Sequence, residues 1–292
     1  MCHTPSQVED VRVKAPIGAA SITDDERAAY WRGFRSKSCF FDFAKCAKCG
    51  MIFCPTYLAE SELDRLYSSM PDNTAGAAPD VLRGTQEGYI DFLASQRDIR
   101  GTYLEIGPDI GLAVEAARAK GSLDRTVLVE PNLAVHDQLR AASGTVPTTI
   151  SASLDDLPQC AAADNVVLIH VLDHLVDPLG YLVDLRRQLV PGAHLLAVVH
   201  NYDSVLRRVL GVRWPPFCLQ HPQLFAADTL SALLVDAGFQ VVSTSPTRNS
   251  LPFRHMVETG LALVGLKGGW TRHIPDVVVR IRLGNIMVVA AS

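Results

Sequence analysis

TYLEIGPDIG, Thr102 to Gly111, is a short apolar run that breaks at a glycine-rich turn, and the Ala-rich segment LAVEAARAKG follows it. That order reads as strand, loop and helix start. Glycines at such a junction let the backbone turn sharply and bring amide N–H groups close to a ligand. A dinucleotide loop reads G-x-G-x-x-G, and its middle glycine admits pyrophosphate to the backbone. Here Asp109 stands in the middle, and Glu105 comes just before the turn. Two carboxylates repel phosphate, so the loop suits a ligand that is cationic and phosphate-free.

S-Adenosylmethionine has that character: it carries a sulfonium, an ammonium and an adenosine. The next acid fits as well. TVLVEPN (Thr126 to Asn132) reads as a second strand ending in Glu130. That is close to the roughly 20-residue spacing expected of an acid that binds ribose hydroxyls. With LEIGPDIG, VLVEPN, SLDDLP, NVVLIHVLDHLVDPLGYLVDLRRQLVPGA and LLVDAGF in this order, the chain from about Gly84 onward resembles the class I S-adenosylmethionine-dependent methyltransferases. A doubly wound domain whose glycines only make turns is the plainer reading.

The resemblance implies a role for each matching residue. Gly107, Pro108 and Gly111 bring backbone to the methionine moiety, and Glu105 and Asp109 supply negative charge around its ammonium. Glu130 grips both ribose hydroxyls, and Pro131 and Asn132 flank the adenine. Ser153 and Leu154 align with the segment at the adenine edge, where many relatives carry an acid in place of Ser153. The His170 backbone touches the methionine group. It also implies a seven-stranded, mostly parallel sheet whose last strand is antiparallel and inserted beside the sixth.

Composition sets the outer bounds. A chain of 292 residues with 48% hydrophobic and 20% charged residues can bury a real core. The net charge of −4 gives no general attraction to nucleic acid. No apolar run reaches the roughly 18–20 residues that span a bilayer. MCHTPSQVEDVRVK lacks an apolar signal core, so the expected location is the cytoplasm. The sequence does not reveal the oligomeric state.

Residues 1–23 mix Pro, Gly, Ser and charge and read as a loose leader, and DDERAAYWRGF reads as a short helix. Phe40, Phe41 and Phe43 point to a strand, with MIF (51–53) returning from it. Between them, Cys46-Ala-Lys-Cys49-Gly50 has zinc-knuckle spacing. This part resembles the N-terminal zinc ribbon before some small-molecule methyltransferases, including deoxysugar C-methyltransferases, but the second Cys-x-x-Cys is missing. Cys39, Cys46, Cys49 and Cys54 either close a structural zinc site or persist as small apolar residues. YLAESELDRLYSSM reads as an amphipathic helix, PDNTAGAAPD as a linker, and GTQEGYIDFLASQRDI as the helix leading into the main domain. Tyr89 on that helix reads as packing or as a cofactor contact. These readings place an N-terminal region at 1–83 and the cofactor-binding domain at 84–292, with pocket-forming insertions at 200–225 and 246–285.

Beyond the first two strands, VPTTIS, Asn165–Ile169 and His194–Val199 read as strands, with a helix over Pro178–Val190 stopped by Pro191-Gly192. FQVVSTS and NIMVVAA close the sheet. Alternating strands and helices predict a doubly wound α/β fold with ligands beyond the carboxyl ends of the strands. Glu105, Glu130, Ser153, His170 and His200 all fall at those ends. Methyl transfer to carbon or oxygen requires an aligned acceptor and a base. His titrates near neutrality, so His200 or His221 is the expected base, with Tyr202 and Asn201 orienting substrate. Trp214 is a candidate aromatic wall. His170 and His174 are four apart, a spacing known from metal ligands, but no third ligand is apparent, so His174 reads as a pocket wall or anchor. The function expected is C- or O-methylation of a small molecule. A cyclising use of the same cofactor, an inactive binding module and an NAD-dependent oxidoreductase are the other readings.

Overall fold

The computed structural model describes residues 8–31, 39–68, 79–156, 162–263, 269–275 and 277–292. Residues 1–7 of the leader, most of the PDNTAGAAPD linker, Cys2 and Cys160 lie outside the described residues.

Seven strands form the main sheet: β1 (Arg100–Ile106), β2 (Ser122–Val129), β3 (Thr148–Ser151), β4 (Ala163–Ile169), β5 (Leu189–His200), β6 (Gln240–Pro246) and β7 (Asn285–Ala291). Their order is β3-β2-β1-β4-β5-β7-β6. Strands β1 to β5 run parallel, and β7 is antiparallel to both β5 and β6. The expected sheet is therefore present, with its last strand inserted as anticipated.

Alternation along the strands explains the two covered faces. Leu104, Ile106, Val127, Val166, Leu168, Leu195 and Ala197 point to one face, against Leu182 and Leu185 of α4 (Pro178–Arg186) and Leu230 and Leu233 of α5 (Ala227–Asp236). Tyr103, Leu128, Val167, Leu196 and Val198 point to the other. There they meet Ile90 and Leu93 of α1 (Pro79–Gln96), Val114 and Ala117 of α2 (Leu112–Lys120), and Leu139 of α3 (His136–Ser143). Each fully buried aliphatic side chain contributes about 1.5–3 kcal/mol.

Two local expectations are corrected. Helix α4 ends at Arg186, four residues before the expected Val190, and β5 begins before Pro191-Gly192. The Pro-Gly pair does not stop the helix; it sits in an irregular stretch of β5, where the register shifts between Leu189 and His194 and Gly192 takes φ 76°. The leader is not loose over its second half. Val8–Val13 pairs with Phe43–Cys46, and Ile17–Gly18 pairs with Cys39–Phe40.

The N-terminal strands are tied to the main domain. Val8–Val13, Phe43–Cys46, Ile52–Phe53 and Gln223–Leu224 form a four-stranded antiparallel sheet in that order. Its last strand comes from the segment after β5. Phe40, Phe43, Ile52, Trp214, Phe217 and Leu224 share one buried cluster. Tyr57 donates to the Leu219 carbonyl at 2.6 Å, and Gln220 donates to the Trp31 carbonyl at 2.8 Å. No helix among the described residues is long and apolar enough to cross a membrane.

Gly111 shows why the loop needs glycine. It caps α2 at φ 82°, and a Cβ there would stand 2.7 Å from the Ala142 Cβ and 3.1 Å from Leu139. Its bare side faces α3, so this glycine serves helix packing. Gly111→Ala is expected to cost about 2–4 kcal/mol, from left-handed strain plus overpacking, as a lowered denaturation midpoint.

Candidate active site

The sheet order reverses between β1 and β4, so the loops after these strands part and leave a crevice. Register places Ile106 level with Val129 and Leu168, and Ile169 level with Val198. The next residues, Gly107, Glu130, His170 and the nearby His200, therefore line one edge. Two non-glycine residues with positive φ flank this crevice: Asp109 at 51° and His170 at 53°. Such backbone strain tends to gather at functional sites.

One half of the edge is acidic. Gly107 takes φ 65°, and its amide donates to the Val129 carbonyl at 2.9 Å. A Cβ there would meet Val171 at 3.1 Å. The Glu130 carboxylate accepts from the Asn132 amide at 2.8 Å and the Asp109 amide at 3.2 Å, so it ties the two loops together. The His136 ring lies 2.8 Å from the Glu130 carbonyl. Glu105 is buried and accepts from the Tyr103 hydroxyl at 2.8 Å. Burial pushes Glu105 up to about 8, with Asp109 and Glu130 adding to the rise and Tyr103 opposing it. Glu105 therefore holds its proton near neutral pH in the ligand-free fold. Asn132 caps the turn at 133–135 through the Ala134 amide, while Pro131 and Leu133 are exposed beside it. Ser153 accepts from the Asp155 amide, and Leu154 is buried in the core. Tyr89 is buried, with its hydroxyl bonded to Asn285, Asn249 and Thr247.

The other half gathers four histidines around one carboxylate. His200 Nδ1 lies 2.5 Å from Asp173 Oδ2, and His170 Nδ1 lies 3.8 Å from the same oxygen. The His170 and His200 rings stand 4.3 Å apart. His221 and His174 approach through their Nε2 atoms at 3.2 Å. His221 Nδ1 lies 2.7 Å from the Pro216 carbonyl, and His174 Nδ1 lies 3.2 Å from the Tyr67 hydroxyl. Trp214 is buried, and its ring centroid lies 6.3 Å from that of His200 in a T-shaped arrangement.

Burial would raise the Asp173 carboxyl, but the His200 imidazole and its hydrogen bond hold it well below its usual range, with His170 close by. Burial pushes His200 down to about 4, reinforced by His170 and opposed by Asp173. Burial and then His221 push His174 down to about 3. We assign Asp173 as a carboxylate and His200 as a neutral imidazole, because a hydrogen bond alone stabilises the carboxylate. A carboxylate only accepts, so Nδ1 of His200 carries the hydrogen and Nε2 keeps its lone pair.

Sequence reading picked out His170, His174, His200, His221 and Trp214, and the fold brings them together. Asp173 and Tyr67 were missed. Asp173 sits in the same HVLDH run, and a buried acid flanked by histidines was its one signal. Tyr202 and Asn201 are placed differently. The Tyr202 hydroxyl accepts from Arg207, whose guanidinium also lies over the Tyr202 ring, and the ring packs near Phe217. The Asn201 side chain accepts from the Asp203 amide at 2.9 Å. The four ribbon thiols do not converge. The Cys46–Gly50 turn has knuckle geometry, with Gly50 at φ 74° and its amide bonded to the Cys46 carbonyl. Yet among the described residues only His170–Asp173–His200 and Asp173–His174–His221 group as possible metal ligands. Cys39 and Cys46 pack in separate apolar clusters, as small buried side chains do.

Comparison with known proteins bears on the family and the fold. A family model for a methyltransferase domain matches residues 82–244, more than half of the chain. No curated protein matches the chain. One similar solved structure is a Haloferax volcanii protein described as a methyltransferase, in complex with the Trm112 methyltransferase activator. It is 17% identical at a TM-score of 0.53, over 75% of this chain and 94% of that one. A mitomycin 7-O-methyltransferase is 15% identical at a TM-score of 0.50, over 80% of this chain and 58% of that one. An S-adenosylmethionine-dependent methyltransferase from Mesorhizobium loti is 17% identical at a TM-score of 0.49, over 72% of this chain and all of that one. At these identities the first two likenesses speak for the fold alone, and the family match speaks for membership. The chain belongs to the methyltransferase-domain family and is an S-adenosylmethionine-dependent methyltransferase.

Proposed function

We propose that this enzyme methylates carbon or oxygen of a small molecule, with His200 as the general base. The observation that carries the reading is the pairing of an acidic, glycine-turned loop with an Asp173-held imidazole at the same sheet edge. The residues present fit the methyl donor. Glu130 would take the ribose hydroxyls, Gly107 and the backbone at His170 would border the methionine portion, and Glu105 and Asp109 would face its positive charge. Leu133, exposed next to Asn132, would offer an apolar face to the adenine. Bound there, S-adenosylmethionine supplies an electrophilic methyl carbon on a cationic sulfur. The chain's own task is to hold the acceptor in line and take its proton at His200 Nε2, while Asp173 fixes the ring. The His170 and His200 side chains are only 27% and 18% exposed, so a small acceptor suits the recess. Trp214 walls it, and Tyr67 reaches it from the N-terminal side by its contact with His174. Calorimetry with S-adenosylmethionine and with NAD, followed by an assay for S-adenosylhomocysteine, tests the reading. Preferential binding of NAD would overturn it.

The charge at Glu105 gives a pH test. Its folded value of about 8 lies above the ordinary carboxyl value of 4.5, so the ligand-free fold holds a proton that the unfolded chain releases. Stability without ligand therefore falls as pH rises from about 4.5 to about 8, and is level above that. A cationic ligand favours the ionised form, so binding expels the proton. Affinity for S-adenosylmethionine is expected to rise with pH, at most about tenfold per unit, and to level off above about 8. Glu105→Gln should flatten both dependences. Calorimetry in buffers of different ionisation heat reads the released proton directly.

A further inference from the structure

We propose that Asp173, His174 and His221 form a binding site for one divalent transition-metal ion. The three side chains come from two segments: the loop between β4 and α4, and the stretch after β5 that joins the N-terminal sheet. Asp173 and His221 are fully buried. The donor atoms of all three lie within 4.8 Å of one another.

Three observations point to an ion. The first is the spacing of the two imidazoles. His174 Nε2 and His221 Nε2 are 3.2 Å apart. Two nitrogens bound tetrahedrally to one zinc-like ion stand about 3.3 Å apart. The second is the outer contacts. His221 Nδ1 donates to the Pro216 carbonyl, and its Nε2 faces the Nε2 of His174. The Tyr67 hydroxyl lies 3.2 Å from His174 Nδ1, so the far nitrogen of that ring also has a partner. Metal-bound histidines are held by such partners on the far ring nitrogen. The third is Asp173. Its Oδ2 is taken by His200, but its Oδ1 is buried without a hydrogen-bond partner among the described residues. A hydrogen bond between the two rings accounts for the His174–His221 contact. It does not account for a buried, unpartnered carboxylate oxygen, which is costly to leave bare.

The other grouping, His170–Asp173–His200, is a poorer site. Its closest donor atoms are 2.5 Å apart, the length of a hydrogen bond, so the proton between them stands where an ion would. Two imidazoles and one carboxylate suit zinc, cobalt, nickel or ferrous iron over magnesium or calcium. Three protein ligands leave a fourth position for water or for an acceptor heteroatom. The ion would share Asp173 with His200 and staple the HVLDH loop to residues 214–225. This inference stands apart from the methyl-transfer reading, because ion binding requires no methyl donor.

The test uses the full chain, stripped with chelator and titrated with Co²⁺ and Zn²⁺ by calorimetry. One equivalent is expected, with a visible Co²⁺ spectrum of nitrogen and oxygen ligands and no sulfur-to-metal charge-transfer band. His221→Asn and His174→Asn should each weaken binding by about a hundredfold or more, while Cys46→Ser leaves it intact. Absence of binding in the unsubstituted chain would overturn the proposal. So would a thiolate band, or an ion that survives both histidine substitutions. The spectrum of the unsubstituted protein decides the donor set even if a histidine variant fails to fold.

Discussion

Glu130→Ala is expected to raise the dissociation constant for S-adenosylmethionine about a hundredfold, with the fold retained. Hydrogen bonds to a charged acceptor contribute roughly 1.5–3 kcal/mol each, so losing one such contact is about tenfold or more and losing two is about a hundredfold or more. The position of Glu130 favours both contacts. Glu130 lies one residue beyond β2, is buried, and is oriented by the Asn132 and Asp109 amides. Its carboxylate therefore meets the ribose with little freedom left to lose. Glu130→Gln keeps the shape and one carbonyl oxygen, so it should fall between the parent and the alanine variant. Calorimetry measures both. The alanine change also releases the Asp109 amide, so part of its effect comes through the loop, and a thermal melt separates that part. Equal affinity in parent and alanine variant would remove Glu130 from the cofactor site.

Much of this arrangement was legible in the residues, because local pattern dictates it. Apolar alternation set the sheet, and the spacing from the glycine turn to Glu130 put Gly107 and Glu130 at neighbouring strand ends. Glycine alone did not reveal which side of the loop it serves. Gly107 borders the crevice, whereas Gly111 is required by Ala142 and Leu139, which are distant in sequence. The histidine cluster was only half legible. His170 and His174 share one run, but His221 reaches them because Gln223–Leu224 leaves the main domain to pair with Ile52–Phe53. That pairing depends on tertiary packing around Phe217 and Trp214, and no local periodicity announces it. The same long-range contacts explain why the leader forms strands. VEDVRV alternates valine with charge, a weak strand signal that becomes decisive only with Phe43–Cys46 beside it. Knuckle spacing, by contrast, specified a turn but not a metal site, since ligands must also converge from elsewhere.

His200→Gln is expected to lower turnover by about 10²–10⁴-fold while leaving S-adenosylmethionine affinity within about twofold. The separation follows from the architecture. The proposed cofactor edge is built by the loops after β1 and β2, whereas His200 ends β5 on the far side of β4. Its side chain bonds Asp173 and faces the His170 ring and the edge of Trp214. Among the histidines, His200 has its Nδ1 held by a carboxylate, the arrangement that fixes the tautomer and stabilises the imidazolium formed when a proton is taken. His221 donates its Nδ1–H to a backbone carbonyl and turns Nε2 to His174, so His221→Ala should cost turnover less than His200→Gln. Asp173→Asn should reproduce the His200 loss, because an amide in that place can donate to Nδ1 and drive the hydrogen to Nε2. The readout is S-adenosylhomocysteine formed per enzyme with an acceptor identified by product screening. If His200→Gln keeps full turnover while His221→Ala loses it, the base lies on the segment after β5, and the Asp173–His200 pair serves only to hold the loop after β4 in place.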